Sequence, residues 1–128
     1  MKILLDTCAF LWLVTDDPKL SGLAKEIFLD SNNELLLSAV TGFEITVKYS
    51  LGKLHLTEPP KKFISNRMKA NALTELPITI NHTLALQDLP WHHKDPFDRL
   101  LVAQAMVAQI PVLSSDGQLS AYGIERLW

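Results

Sequence analysis

Four acidic side chains of this 128-residue chain stand where apolar segments end or helices begin. Asp6 follows Ile3-Leu4-Leu5, and Glu44 lies just beyond Leu35-Leu36-Leu37. Asp98 opens the helix-like stretch Leu100-Leu101-Val102-Ala103, and Asp116 follows Val112-Leu113. If the apolar runs are neighbouring parallel strands, their carboxyl ends share one edge of a sheet, where α/β proteins assemble their sites. Carboxylates gathered there repel one another strongly unless a cation neutralises them. An all-oxygen ligand set suits Mg²⁺ or Mn²⁺. The chemistry indicated is metal-dependent attack on a phosphate ester.

Each acid also has a purely structural explanation. Asp6 can cap the helix after its strand, and Thr7 offers either a hydroxyl ligand or, more simply, a cap. Thr41-Gly42-Phe43-Glu44 has the form of a capping box, which would turn Glu44 back onto its own helix start. In Asp95-Pro96-Phe97-Asp98, Asp95 fits the N-cap and Pro96 the first helical position. Asp95 then serves mainly as a cap with a secondary place near the metal, while Asp98 projects over the sheet edge as the ligand. Arg99 beside it would pair with an acid or touch phosphate. Asp116-Gly117 makes a turn unaided, and Ser114 is placed to orient a carboxylate or a water. Taken jointly the pattern is harder to dismiss, because all four acids occur at the same kind of topological position.

Other residues carry less. His92-His93 lack Cys or His partners at zinc-ligand spacing and read as surface-loop residues. Cys8 reads as a small packed residue, and Trp12, Trp91 and Trp128 as core or interface. There is no phosphate-binding glycine loop and no G-x-S-x-G nucleophile motif.

The elements that would position these acids alternate between strand and helix, the pattern of βαβ units around a parallel sheet. Strands are expected at Lys2–Leu5, Glu34–Ser38, Leu73–Ile78 (interrupted by Pro77), Pro111–Ser114 and, at an edge, Ile124–Trp128. Helices are expected over 9–15, 19–30, 41–51, 61–72, 81–89 and 97–109. The apolar spacing of Leu20, Leu23, Ala24, Ile27 and Phe28 marks the second of these. Gly52 can end the third, and Asn81 is a plausible N-cap for the fifth. The apolar residues Leu11, Trp12, Leu20, Leu23 and Ile27 would enter the chain's own core or face a partner.

Nearly half the residues are hydrophobic, enough for one domain, 1–128, with a real core. No apolar run reaches the ~18 residues of a membrane helix, and Met1-Lys2 leads straight into a strand rather than a signal peptide. The lone Cys8 excludes an intrachain disulfide and fits a cytoplasmic setting. A net charge of −2 does not announce a nucleic-acid binder. However, Lys48, Lys53, Lys61, Lys62, Arg67 and Lys69 crowd one stretch against a single acid, Glu58. Such a surface can hold a polyanion or be an ordinary solvated helix face.

Nearly end to end, these residues resemble the PIN-domain family, and within it the VapC-type toxin ribonucleases. Ile3-Leu4-Leu5-Asp6-Thr7 is similar to the family's opening strand and first acid. Ser38 through Glu44, then Lys48 and Gly52-Lys53-Leu54, resembles its second acidic block. The segment from His93 to Ala105, centred on Asp95-Pro96-Phe97-Asp98-Arg99, is the most specific. Val112-Leu113-Ser114-Ser115-Asp116 resembles the last acidic block. The resemblance implies an α/β fold, a central parallel sheet flanked by helices. It implies endonucleolytic RNA cleavage with Mg²⁺ or Mn²⁺, held by Asp6, Glu44, Asp98 and Asp116 and supported by Thr7, Ser38, Asp95 and Ser114. It also implies a homodimer and a cognate VapB-type antitoxin that blocks the site.

The expected reaction is phosphodiester hydrolysis by a metal-activated water attacking phosphorus in line, with 5′-phosphate and 3′-hydroxyl products as the family implies. Lys48, Lys53 and Arg99 would hold the RNA backbone. The alternatives are a metal-dependent nuclease on structured DNA, a phosphatase, or a non-catalytic interaction module whose acids are only caps and turns.

Overall fold

The computed structural model describes all residues, 1–128. Five strands form one parallel sheet: β1 (Lys2–Leu5), β2 (Glu34–Ser38), β3 (Thr74–Leu76), β4 (Val112–Leu113) and β5 (Arg126–Leu127), in the order β3-β2-β1-β4-β5. The chain moves outward from β1 to β2 and β3, then crosses to the other side of β1 to place β4 and β5. The order reverses between β1 and β4, and it is at such a reversal that the carboxyl ends of parallel strands open a crevice.

The central strands are apolar on both faces because both faces are covered. Ile3 and Leu5 of β1 and Leu35 and Leu37 of β2 point to one side. They pack there against α1 (Thr7–Val14), α2 (Gly22–Leu29) and α4 (Pro60–Ala70) through Ala9, Phe10, Leu13, Ala24 and Phe63. Leu4 and Leu36 point to the other side, against Leu101, Val102 and Ala105 of α6 (Pro96–Ala108), with Leu89 and Leu119 closing the edge. α3 (Ala39–Ser50) contributes Val40 to the second layer and Ile45 to the first. It therefore passes over the carboxyl end of the sheet, a path that carries the middle of the helix past the end of β1.

Local chemistry sets most boundaries. α1 starts at Thr7, two residues before the expected helix, because Asp6 accepts the Ala9 N–H at 2.7 Å and caps it. α2 starts late, at Gly22, under a Ser21 cap. α3 starts at Ala39 under a Ser38 cap, which overturns the expected Thr41–Glu44 capping box. It ends as expected at Gly52, whose φ of 72° suits glycine. There the Gly52 and Lys53 N–H groups close on the Tyr49 and Lys48 carbonyls. α5 is only Ile80–Leu84, and its cap is Thr79 in a reciprocal box with His82, not Asn81. α6 has Asp95 as cap and Pro96 at its first position. Past β4, Asp116 caps a short 3₁₀ helix, Gly117–Tyr122, where the sequence suggested only a turn.

Candidate metal centre

Asp6 arrives at the mouth of the crevice on the end of β1 and is 6 % exposed. One oxygen is held by the cap to Ala9, so the carboxylate cannot swing away. Burial pushes its pKa up. The Ser114 hydroxyl and the Ala9 N–H oppose that shift, and the charges of Asp116 and Glu44 add to it.

Glu44 sits in the second turn of α3 and is buried. Thr7 donates its hydroxyl to Glu44 Oε1 at 2.6 Å and lies 3.1 Å from the Thr41 hydroxyl. Lys48, one turn on, pairs with Glu44 Oε2, and that bond raises the lysine's pKa. Thr7 is therefore not the helix cap the sequence suggested. It is the first helical residue, and its hydroxyl ties α1 to α3 by fixing Glu44.

Asp98 lies in the first turn of α6. Burial, then the charge of Asp95, raise its pKa, which Glu44 and Asp6 push further and His93 draws back, leaving it at about 7. Asp95 commits one oxygen to the Phe97 and Asp98 N–H groups at 2.8 and 3.1 Å, the cap role read from the sequence. Asp116 closes the group from the far side of the switch point. Its Oδ1 accepts the Gln118 N–H at 3.0 Å, and its own N–H is held by the Ser114 hydroxyl at 3.0 Å.

The sequence reading missed a fifth member, His93. Its Nε2 lies 2.9 Å from Asp116 Oδ2 and 3.3 Å from Asp98 Oδ2. Ligand atoms of His93, Asp98 and Asp116 fall within 4.8 Å of one another. Zinc-type spacing does not mark it, because its partners are carboxylates from other elements. Its signal was only its place, two residues before the Asp95 cap.

Other expectations are corrected. Arg99 does not face solvent to meet phosphate: it is 5 % exposed. It donates to the carbonyls of Leu89, Pro90 and His93, approaches the Tyr122 hydroxyl, and stacks 3.6 Å from the Trp91 ring centre. It is a scaffold for the loop that carries His93. Ser38 spends its hydroxyl on the Val40 N–H and on buried Gln104, away from the acids. Lys53 stands exposed beyond the C-terminal turn of α3, with no bond to the cluster. Cys8 is exposed rather than packed, and partial shielding of its thiol from water, with the charges of Asp6, Glu44 and Asp98, raises its pKa. Trp12 pairs with Trp128, but Trp91 is exposed.

Asp6 on β1 feels the charges of Asp116 and Glu44, and Asp98 on α6 those of Asp95, Glu44 and Asp6, so both hold their protons more tightly than a free carboxylate. The side chains whose ligand atoms lie within reach of a single ion are His93, Asp98 and Asp116. A hard divalent cation relieves that repulsion, and oxygen donors of this kind fit Mg²⁺ or Mn²⁺. Beside the crevice, Phe43 and Phe97 form an edge-to-face pair with ring centres 5.3 Å apart, next to Glu44 and Asp98 in sequence. A cleft of about 490 Å³ runs between α3 and α4, lined by Thr46, Tyr49, Ser50, Pro60 and Lys61 among others.

Residues 3–125 match the family model of the PIN domain. Over 59 residues the chain is 36% identical to Ribonuclease VapC16 of Mycobacterium tuberculosis (strain ATCC 25618 / H37Rv), covering 46% of this chain and 42% of that protein. The match therefore spans less than half of the curated relative's length. Among solved structures, VapBC2 from Rickettsia felis, bound to a DNA fragment from its promoter, superposes with a TM-score of 0.75 at 13% identity, over 99% of this chain and 98% of that one. DNA-bound VapBC from Salmonella typhimurium gives 0.71 at 15% identity, over 99% and 97%. VapBC-1 from nontypeable Haemophilus influenzae gives 0.68 at 16%, over 99% and 97%. At these identities the likeness is one of fold: a five-stranded parallel sheet flanked by helices.

Proposed function

The chain belongs to the PIN domain family, and we propose that it is a divalent-metal-dependent endoribonuclease, the toxin of a VapBC-type toxin–antitoxin pair. What supports this reading is the family match together with the electrostatic coupling of Asp6 to Asp116 and Glu44, and of Asp98 to Glu44 and Asp6, around the strand-order reversal. These side chains would hold Mg²⁺ or Mn²⁺. When bound, the cation supplies a nucleophilic water at neutral pH and offsets charge building on the phosphate and leaving oxygens.

The rest is done by the chain. Caps on Asp6 and Asp116, and Thr7 and Lys48 on Glu44, fix the carboxylates before any ligand arrives, so little reorganisation is left for the reaction itself. Lys48 adds positive charge where a phosphate would enter. Exposed Lys61 and Lys62 on α4 add further positive charge, Lys61 lining a cleft on the face of α3 away from Glu44 and Lys48. The Phe43–Phe97 pair offers an aromatic edge to an unstacked base, which favours single-stranded RNA over a small phosphate ester.

The partner in this reading is a VapB-type antitoxin that covers the crevice, consistent with the VapBC assemblies among the structural neighbours. Ile80 and Leu84 of α5, with Met106 and Val107 of α6, leave apolar side chains exposed on two helices that pack together, a face for a second copy. No helix is long and apolar enough to cross a membrane, and the cytoplasm is where such a substrate is met. Side-by-side digestion of RNA, structured DNA and a small phosphate ester in Mn²⁺, followed by end analysis, tests the substrate class. Cleavage of RNA alone, leaving 5′-phosphate and 3′-hydroxyl ends, supports the reading. Turnover of only the small ester or only DNA contradicts it.

A further inference from the structure

The proposed metal centre leaves His93 without a role, although its ring points straight at two of the acids. The two ring nitrogens have different surroundings. Nδ1 lies 3.0 Å from the backbone N–H of Asp95, a group that can only donate. Nδ1 therefore presents its lone pair, and the proton of the neutral ring is on Nε2, facing Asp116 and Asp98. A histidine that ligates a metal through Nε2 is built the other way round, with Nδ1–H donating to a carbonyl or carboxylate.

We infer that His93 is not a metal ligand but a positioning residue, whose Nε2–H bridges one oxygen of Asp116 and one of Asp98 and holds the two carboxylates together for the ion. The inference rests on the metal-centre reading above. One contact fixes the ring and two hold its backbone in place. The His93 N–H donates to the Tyr122 hydroxyl at 2.8 Å, and the His93 carbonyl accepts from buried Arg99. The Asp95 N–H that fixes Nδ1 belongs to the residue whose carboxylate caps α6 and holds the Asp98 N–H. One turn of chain thus sets His93 and Asp98 together. On the other side, Asp116 gives Oδ1 to its own helix cap and turns Oδ2 to the imidazole. A donor shared by two carboxylates makes charge-assisted bonds and lessens their repulsion.

Mn²⁺ titration by calorimetry on the wild type, His93→Ala, His93→Gln and Asp98→Asn tests this, with pulsed EPR of the Mn²⁺ complexes and melting in EDTA to show that each variant is folded. Losing an outer-shell partner typically weakens metal binding by about 10–100-fold, and that is the expected effect of His93→Ala. Gln, whose amide N–H reaches where Nε2–H does, should stay within a few-fold of wild type. The wild-type spectrum should show no directly bound nitrogen. A directly coordinated imidazole nitrogen overturns the inference, as does His93→Ala binding Mn²⁺ like wild type or His93→Gln failing like Ala, while the metal reading stands. Wild type binding Mn²⁺ no better than Asp98→Asn would overturn the metal reading and the bridge with it.

Discussion

Asp98 carries the clearest consequence at the scale of single residues. Its pKa rises from 3.8 to about 7 in the folded, metal-free protein. Between those values the native state holds a proton that the unfolded chain has released, so stability falls as pH climbs through the window. Asp6, also shifted upward, acts in the same direction. Melting in EDTA across this range should show the fall, and Asp98→Asn should flatten it. A flat wild-type profile would contradict the electrostatics of the crevice. Because the cation competes with that proton, Mn²⁺ affinity should strengthen with pH up to about 7. Phe43, 58 % exposed, tests the proposed base contact. Phe43→Ala should raise KM for RNA about 5–100-fold, the worth of one base stack, with kcat changed little. Asp6 and Asp116 stand out in the sequence, because an Asp after an apolar run is a local pattern. Arg99 and His93 were misread because their partners, the Leu89 and Pro90 carbonyls and the Asp116 carboxylate, are set by how α6, the 89–95 loop and the β4 end pack together.

At the scale of elements, two caps do different work. Asp6 caps α1 while its carboxylate still feels the charges of Asp116 and Glu44, so capping does not remove it from the proposed centre. Ser38 is a cap alone. Ser38→Ala removes the cap on the Val40 N–H, a loss of about 1 kcal/mol. It also strips a donor from buried Gln104, costing about 1–3 kcal/mol more. Denaturant melts should therefore show a loss of about 2–4 kcal/mol, while Mn²⁺ affinity below the melt stays unchanged. Weakened metal binding in this variant would return Ser38 to the supporting role first expected of it. The positions of β1, β2 and β4 are readable because their apolar runs are continuous. Helix starts drifted because Ser38 and Thr41, or Thr79 and Asn81, are equally good caps by type, and only packing chooses between them.

Across the whole molecule, the sheet order decides which side chains the proposed centre can contain. Consecutive strands alone would not have put Asp6 beside Asp116; the crossover that returns β4 to the open side of β1 does so. The alternation of strands and helices pointed to a parallel sheet, but the order of its strands depends on which edges pair, which no local segment encodes. α3 crossing the sheet end, needed to bring in Glu44, was illegible for the same reason. A cation that binds only the folded crevice should stabilise the fold by about 2.7 kcal/mol at a hundredfold excess over Kd. Scanning calorimetry with and without Mn²⁺ reads this directly, and Asp98→Asn should abolish the gain. If the exposed α5–α6 face joins two copies, Leu84→Glu should shift the protein to monomer in light scattering and remove the concentration dependence of its melting temperature.

The most direct test of the central claim is cleavage of a mixed RNA pool by the purified, partner-free protein, in Mn²⁺ or EDTA, beside folded Asp6→Asn. The expected result is cleavage that needs both the cation and Asp6, with Asp6→Asn at background. Cleavage by Asp6→Asn at the wild-type rate, or in EDTA, would show that the carboxylate crevice is not where the reaction occurs.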